Sequence, residues 1–221
     1  MFNWWRLWLS KFDNLLDHLS KHIRKEDEVV ITRDISKVGD KNIMQDEFYA
    51  LEKVLEKYEY GIYFQPFQLK VISFEFNKDF SALKNHTKEN CSGDYIFHID
   101  ADEYPHETLL LKLKPILEVN EGVDLIWIPR VNTIDGMTPH HVQKWGWRVT
   151  ENNWVNYPDY QARVFRRDSE IRWTRPLHEH IVGCKTYAHL PPHEELSLYH
   201  PKTIGKQEQQ NEFYEKIFTD N

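Results

Sequence analysis

Three carboxylates crowd four positions where a strand-forming run ends. They are Asp100, Asp102 and Glu103, in GDYIFHIDADEYP, residues 93–105. Like charges this close repel unless a cation sits between them or water screens them. In extended backbone, side chains at i and i+2 point the same way, so Asp100 and Asp102 can face one ligand while Ala101 faces the wall. Two carboxylates on one face suit a hard divalent cation, Mg2+ or Mn2+, with positions left open for phosphate oxygens. A bare D-x-D is short and common, and a solvated strand end explains it equally well. A calcium loop of the EF-hand type is excluded: its sixth and twelfth positions need Gly and Glu, and here they are Pro105 and Leu111.

The elements that must hold this cluster follow from patterning. Residues 95–99 read as a strand, preceded by a short helix over 81–93 and followed by a helix over 106–117 whose Glu107 suits the helix dipole. Upstream, residues 28–32 read as a buried strand running into a polar loop at 33–40. Residues 46–61 form an amphipathic helix closed by Gly61, and 60–76 hold one or two strands interrupted by Pro66. Downstream, strands are expected over 123–132, 160–166 and 170–174, and a helix over 203–218. Helices and strands alternate through the first 130 residues, which implies an α/β domain with a largely parallel sheet. Ligands gather at the carboxyl ends of such strands, and Asp34 and the Asp100–Glu103 cluster are expected on that one rim.

Composition narrows the function. The chain has 221 residues, 40% of them hydrophobic, with no low-complexity stretch or internal repeat, so a folded domain is expected. A net charge of −7 argues against a sequence-independent nucleic-acid binder. Arg163, Arg166, Arg167, Arg172 and Arg175 still form a local basic cluster that a polyanion could use. Cys91 and Cys184 lack metal-type spacing and read as reduced thiols, so the expected location is cytoplasmic. No run resembles a signal peptide or approaches a membrane span. The opening MFNWWRLWLSKFDNLLDHLSKHI places Trp5, Trp8, Phe12, Leu15, Leu16, Leu19 and Ile23 at helical spacing. Such a helix either packs on the domain's own sheet or lies on a membrane surface. Its other face mixes acids and bases, which favours packing.

Residues 78–103, KDFSALKNHTKENCSGDYIFHIDADE, resemble the core signature of family 2 glycosyltransferases of the GT-A fold. In that family a basic-Asn pair opens a helix, Gly-Asp precedes a strand, and the strand ends in D-x-D-E. Lys84-Asn85, Gly93-Asp94 and residues 100–103 fall in that order, with Lys84 where Arg is usual. DEVVITRDIS is similar to the family's second strand, with Asp34 and Ser36 matching and Arg33 at the first Asp. YPDYQARVFRRDSEIRWTRPLHEHIVG resembles its C-terminal half through Arg163/Phe165, His178-Glu179 and, further on, Tyr199-His200. The type is that of bacterial, phage and large-virus enzymes. One departure is the start: the family opens with an apolar strand of the nucleotide site, and this chain opens with MFNWWRLWL.

The resemblance implies an α/β, GT-A-like (Rossmann-related) fold with a mixed, mostly parallel sheet flanked by helices. It divides the chain into an N-terminal helix (1–27), a donor-binding half (28–130) and an acceptor-binding, catalytic half with a C-terminal helix (131–221). The implied reaction moves a sugar from a nucleotide-diphosphate donor, a UDP-sugar foremost, to a glycan or other hydroxyl acceptor, with inversion. Mn2+ or Mg2+ on Asp102, with Asp100 on metal or ribose, would neutralise the leaving diphosphate. His200 is the candidate third ligand and His178 its competitor. Asp34, Lys84, Asn85, Asp100 and Arg163 would hold the donor, with Arg166 and Lys202 further phosphate candidates. Glu179, with Asp159 second, would take the acceptor's proton. Trp145, Trp147 and Trp154, in the turn-rich stretch 129–161, suit a sugar platform or simply a core. Two alternatives stand beside this: a sugar- or partner-binding module that has lost donor binding, and a metal-dependent hydrolase. A zinc site among His178, His180, His189, His193 and His200 finds no pair at known motif spacing.

Overall fold

The structure is a computed structural model and describes residues 4–36, 44–59 and 67–219. The chain runs α1 (Trp4–His22), β1 (Glu28–Asp34), α2 (Met44–Glu59), β2 (Gln68–Phe74), α3 (Phe80–Glu89), β3 (Tyr95–Phe97), β4 (Tyr104–Pro105) and α4 (Glu107–Val119). It continues with β5 (Leu125–Ile128), β6 (Arg130–Asp135), α5 (Pro139–Trp145), β7 (Gln161–Arg166), β8 (Arg172–Thr174), β9 (His180–Val182) and β10 (Tyr187–His189), and ends with β11 (Leu198–Thr203) and α6 (Ile204–Thr219). Gly61 and the first of the strands expected before Pro66 lie outside the described residues, as do the side chains of Trp5 and Trp8.

The fold is a mixed α/β one, and its strands form several ladders. β1 and β2 pair in parallel; β10-β5-β7-β3 form a four-stranded sheet and β4-β11-β6 a three-stranded one; β8 and β9 make a hairpin. The pairs β1–β2, β5–β10 and β6–β11 are parallel, whereas β7 lies antiparallel to both β3 and β5. The run expected as one strand over 123–132 is two, broken at the buried Pro129. Proline lacks the N–H a ladder needs, and the break sends β5 into one sheet and β6 into the other.

Local chemistry sets the element ends. Asp79 caps α3 by accepting from the Ala82 amide at 2.9 Å, as a short acid at this position does. The helix stops at Asn90, short of the expected Gly93. The strand expected over 95–99 ends at Phe97, so Asp100 and Asp102 stand on a turn rather than on extended backbone. Within the stretch expected to be turn-rich, Pro139 at the start and Gly146 in the left-handed region at the end bracket the short helix α5.

The main core lies between α4 and the four-stranded sheet, where Leu109, Ile126, Ile128, Val164 and Leu198 are buried. The apolar stripe of α1 turns inward. Phe12 and Leu16 pack with Leu55 and Tyr58 of α2, and Leu15 and Leu19 with Leu110 of α4. Among the described residues no helix is long and apolar enough to cross a membrane.

Candidate active site between the two sheets

A cavity of about 750 Å³ opens where the two larger sheets meet. One sheet contributes Trp127 and Arg163; the other contributes Arg130, His200 and Lys202. The β8–β9 hairpin adds His178, Glu179 and His180, and the 100–103 turn adds Asp100 and Asp102.

The hairpin is held against α3. Asn85 donates to the Trp173 carbonyl at 2.9 Å and accepts from its amide at 2.8 Å, clamping β8. Arg175 and His178 take positive φ angles of 73° and 54°, a conformation side chains rarely adopt without surrounding support. Gly183 closes the turn at φ +89°, where a Cβ would lie 2.0 Å from the Glu170 carbonyl oxygen. This chain path brings Glu179 Oε1 to 2.6 Å from Lys84 Nζ, and that ammonium also sits 4.4 Å above the Trp173 ring centre.

Below the turn, two guanidinium groups bind the acids. Glu103, with its side chain fully buried, accepts from Arg130 at 2.8 Å and from Arg163 at 2.7 Å. Arg163 also donates to Asp100 at 2.6 Å, and His98 lies 3.1 Å from the same carboxylate. Burial favours the neutral form of Asp100, yet Arg163 and His98 outweigh it and hold the carboxyl well below its ordinary range. Two of the three clustered acids, Asp100 and Glu103, are therefore bridged by Arg163, and Arg130 adds a second counter-charge to Glu103. Arg163 Nε finds no acceptor among the described residues.

Asp102 faces a different partner set. In β6, Arg130 and Asn132 share a face by the two-residue period, and both reach Asp159. Arg130 donates to Asp159 at 2.6 and 2.9 Å, and Asn132 Nδ2 donates at 2.9 Å. A carboxylate only accepts, which fixes the Asn132 amide and turns its oxygen to His200 Nδ1 at 2.9 Å. The register pairs His200 with Asn132 directly. His200 Nδ1 must then be the donor, and its Nε2 is left with a lone pair. Burial lowers the His200 pKa against the pull of Asp102, which favours this neutral ring. Nε2 points at Asp102 Oδ2, 3.6 Å away and beyond hydrogen-bond reach. Two electron-pair donors thus face each other, an arrangement that calls for a cation between or beside them. The Lys206 ammonium, 2.6 Å from the same Asp102 oxygen, now supplies one.

Residues 12–189 match the profile of the family described as Glycosyl transferase family 2. The chain belongs to that family. Among solved structures it is similar to S. aureus TarS. Fragment 1–349 aligns with TM-score 0.55 and 18% identity over 87% of this chain and 57% of that one. The same fragment in complex with UDP-GlcNAc aligns with TM-score 0.56 and 19% identity over 86% and 54%. A further TarS structure gives TM-score 0.53 and 17% identity over 86% of this chain and 34% of that one. At these identities the likeness carries the fold, and the chain spans about half the length of the TarS fragment. No curated protein matches.

In this family 2 domain the residues expected from sequence divide into two groups. Lys84, Asp100, Asp102, Arg163, His178, Glu179, His200 and Lys202 converge on one cavity. Asp34, Asn85, Asp159 and Arg166 do not line it. Asp34 accepts from the Ser36 and Phe76 amides beyond β1, while Asn85 clamps β8. Asp159 orients Arg130 and Asn132. Arg166 stacks over Tyr95 in a separate groove, so the expected arginine cluster is dispersed. Trp145 and Trp147 pack on each other at 4.7 Å, Trp154 packs on Tyr157 at 4.8 Å, and none lines the cavity. Sequence reasoning assigned no role to Glu103, Arg130, Asn132 or Lys206. An arginine and an asparagine two apart in an otherwise apolar strand was the one signal for the middle pair.

Asp102 and His200 fit a divalent cation. One carboxylate oxygen and one imidazole lone pair are a donor set Mn2+ accepts, and the orienting Asn132 is the supporting partner such a histidine requires. Among the described residues no group of three or more potential ligands gathers at one point, so phosphate oxygens or water would complete the sphere.

Proposed function

We propose that this family 2 domain transfers a sugar from a UDP-sugar, held with Mn2+ or Mg2+, to a hydroxyl of a glycan acceptor, with inversion. The observation that carries it is the tautomer-fixed His200 facing Asp102 in a cavity also lined by Lys84, Arg130, Arg163, Lys202 and Lys206. Four of those five cations are held by carboxylates and Lys202 by the Gln210 amide oxygen, so a diphosphate would enter as a competing anion with several donors within reach. The complex of the similar TarS fragment with UDP-GlcNAc is consistent with such a donor.

The bound cation would neutralise charge on the departing diphosphate. The chain's own residues do the rest. Lys84 and Lys202 meet the phosphates; burial, reinforced by Arg130 and Lys206, lowers the Lys202 pKa to about 8, and an incoming anion would raise it again. Asp100, fixed by Arg163, offers an acceptor edge to the ribose. Glu179 takes the proton of the attacking hydroxyl once the diphosphate draws Lys84 away. His178 is the lesser candidate for the cation. We divide the domain into a donor half, 28–130, and an acceptor half, 131–221, with α1 packed on the first; residues from both halves line the cavity. The free thiols Cys91 and Cys184 support a cytoplasmic location.

The test is nucleotide release from a panel of UDP-sugars with and without Mn2+, alongside calorimetric binding of UDP. Metal-dependent release with an acceptor is the expected result. A second reading, a sugar-binding module without turnover, draws on the pairing of Glu179 with Lys84. It predicts binding without release. Release with water as sole acceptor would instead indicate a hydrolase.

A further inference from the structure

Lys206 stands in the first turn of α6, where a lysine is poorly placed for the helix itself. The positive end of the helix dipole lies there, and the turn holds no acidic residue to offset it. Packing does not hold the side chain either, since it is 39% exposed. What compensates is Asp102: Nζ approaches Oδ2 to 2.6 Å, and that is the same oxygen His200 Nε2 faces.

We propose that Lys206 is the built-in counter-ion of this cation seat, and that it competes with the divalent metal for Asp102. The inference rests on reading Asp102 and His200 as that seat. A carboxylate oxygen that holds an ammonium at hydrogen-bond distance cannot hold a metal on the same side, so the ammonium must leave as the metal enters. α6 also walls the cavity through Gln209 and Gln210, and Lys202 Nζ donates to Gln210 at 2.8 Å. Among the α6 residues whose side chains are described, none is buried, and this end of the helix is tied down by polar contacts, with His141 lying 3.9 Å from Glu208.

Charge balance then couples the ligands. Asp102 and Lys206 are neutral as a pair; a divalent ion arriving while Lys206 stays near leaves a positive excess that a diphosphate removes. Metal alone should therefore bind weakly, and metal with nucleoside diphosphate strongly. Displaced from Asp102, the ammonium has the phosphates as its next anion.

Mn2+ titration followed by electron paramagnetic resonance, on the full chain without donor, tests this. Relative to wild type, Lys206→Met should bind Mn2+ about 10- to 100-fold more tightly, the weight of one charged hydrogen bond removed from the competition. Lys206→Gln should lie between. Asp102→Asn should abolish binding in either background. If Asp102→Asn loses Mn2+ but Lys206→Met binds it no better than wild type, competition is refuted and the seat stands. If Asp102→Asn binds as wild type does, or if neither wild type nor Lys206→Met binds Mn2+, the seat is misplaced and both readings fall.

Discussion

Lys84 Nζ and Glu179 Oε1 lie 2.6 Å apart, with the two side chains only 15% and 16% exposed. The acid suited to accept a proton and the lysine suited to bind phosphate are thus one ion pair before any ligand arrives. An ion pair in so little water is sensitive to loss of either member, because the other is left uncompensated.

Glu179→Gln should lower kcat by about 10²- to 10⁴-fold with donor KM nearly constant, as expected for a general base. Lys84→Met should act mainly on donor KM. A purely structural pair gives another pattern: each single variant melts early, the double variant recovers, and kcat survives throughout. Steady-state kinetics beside thermal melts on all three separate the two.

Asn132 controls which His200 nitrogen carries the proton. Asn132→Leu keeps the volume and removes that control, and should weaken Mn2+ binding by about 10- to 100-fold, the usual weight of a supporting ligand partner. The secondary structure should stay unchanged by circular dichroism. Full Mn2+ affinity in this variant would contradict the tautomer assignment.

Glu103 separates two guanidinium groups with no water to help it. Glu103→Gln leaves Arg130 and Arg163 short of a charge and should cost about 3–5 kcal/mol of stability. Denaturant unfolding measures this directly. A variant of unchanged stability would show that Asp100 and Asp159 suffice as counter-ions.

Gly183→Ala forces a Cβ to within 2.0 Å of a backbone oxygen at a positive φ. The hairpin must shift, at a cost of about 1–3 kcal/mol from backbone strain alone. Because the same hairpin carries Glu179, kcat should fall with stability, although the substitution touches no cavity residue.

Cys91 offers a check by pH. Burial, with Glu28 nearby, pushes its thiol up to about 11 from a model-peptide value near 9. The folded state thus keeps a proton that the unfolded chain releases, so this thiol's contribution to stability is constant below pH 9 and is lost as pH rises from 9 towards 11. At pH 8 the thiol should react with a disulfide reagent far more slowly than in denaturant. Equal rates in the two conditions would show that the thiol is not shielded in this way.

Much of this architecture was legible because it is local. The helix before Gly93, a strand beginning at Tyr95 and the acids after it all follow from neighbours a few residues apart. The binding groups that went unread are those whose meaning is set across the chain. Asn132 finds Asp159 27 residues away and His200 68 away, and Lys206 meets Asp102 across 104. β11 was hidden by its own Pro201, which argues against a strand. β4 pairs only Leu198 and Tyr199; beyond them that edge of β11 meets no strand among the described residues, Lys11 donates to the Pro201 carbonyl at 2.7 Å, and a residue without an N–H is tolerated there. Conversely, the i, i+2 rule brought Asp100 and Asp102 to one cavity for the wrong reason: the backbone there turns, and different cations hold each acid.

The break at Pro129 has a mechanical consequence. Trp127 and Arg130 sit three residues apart yet belong to different sheets, and both face the cavity. The cavity is therefore walled by two plates that meet at a crease rather than cut into one. Glu103 bridges that crease, since Arg130 and Arg163 both donate to its buried side chain, so the plates cannot shift against each other without parting these ion pairs. The width of the gap that grips a substrate is thus set by a carboxylate that does not itself line it.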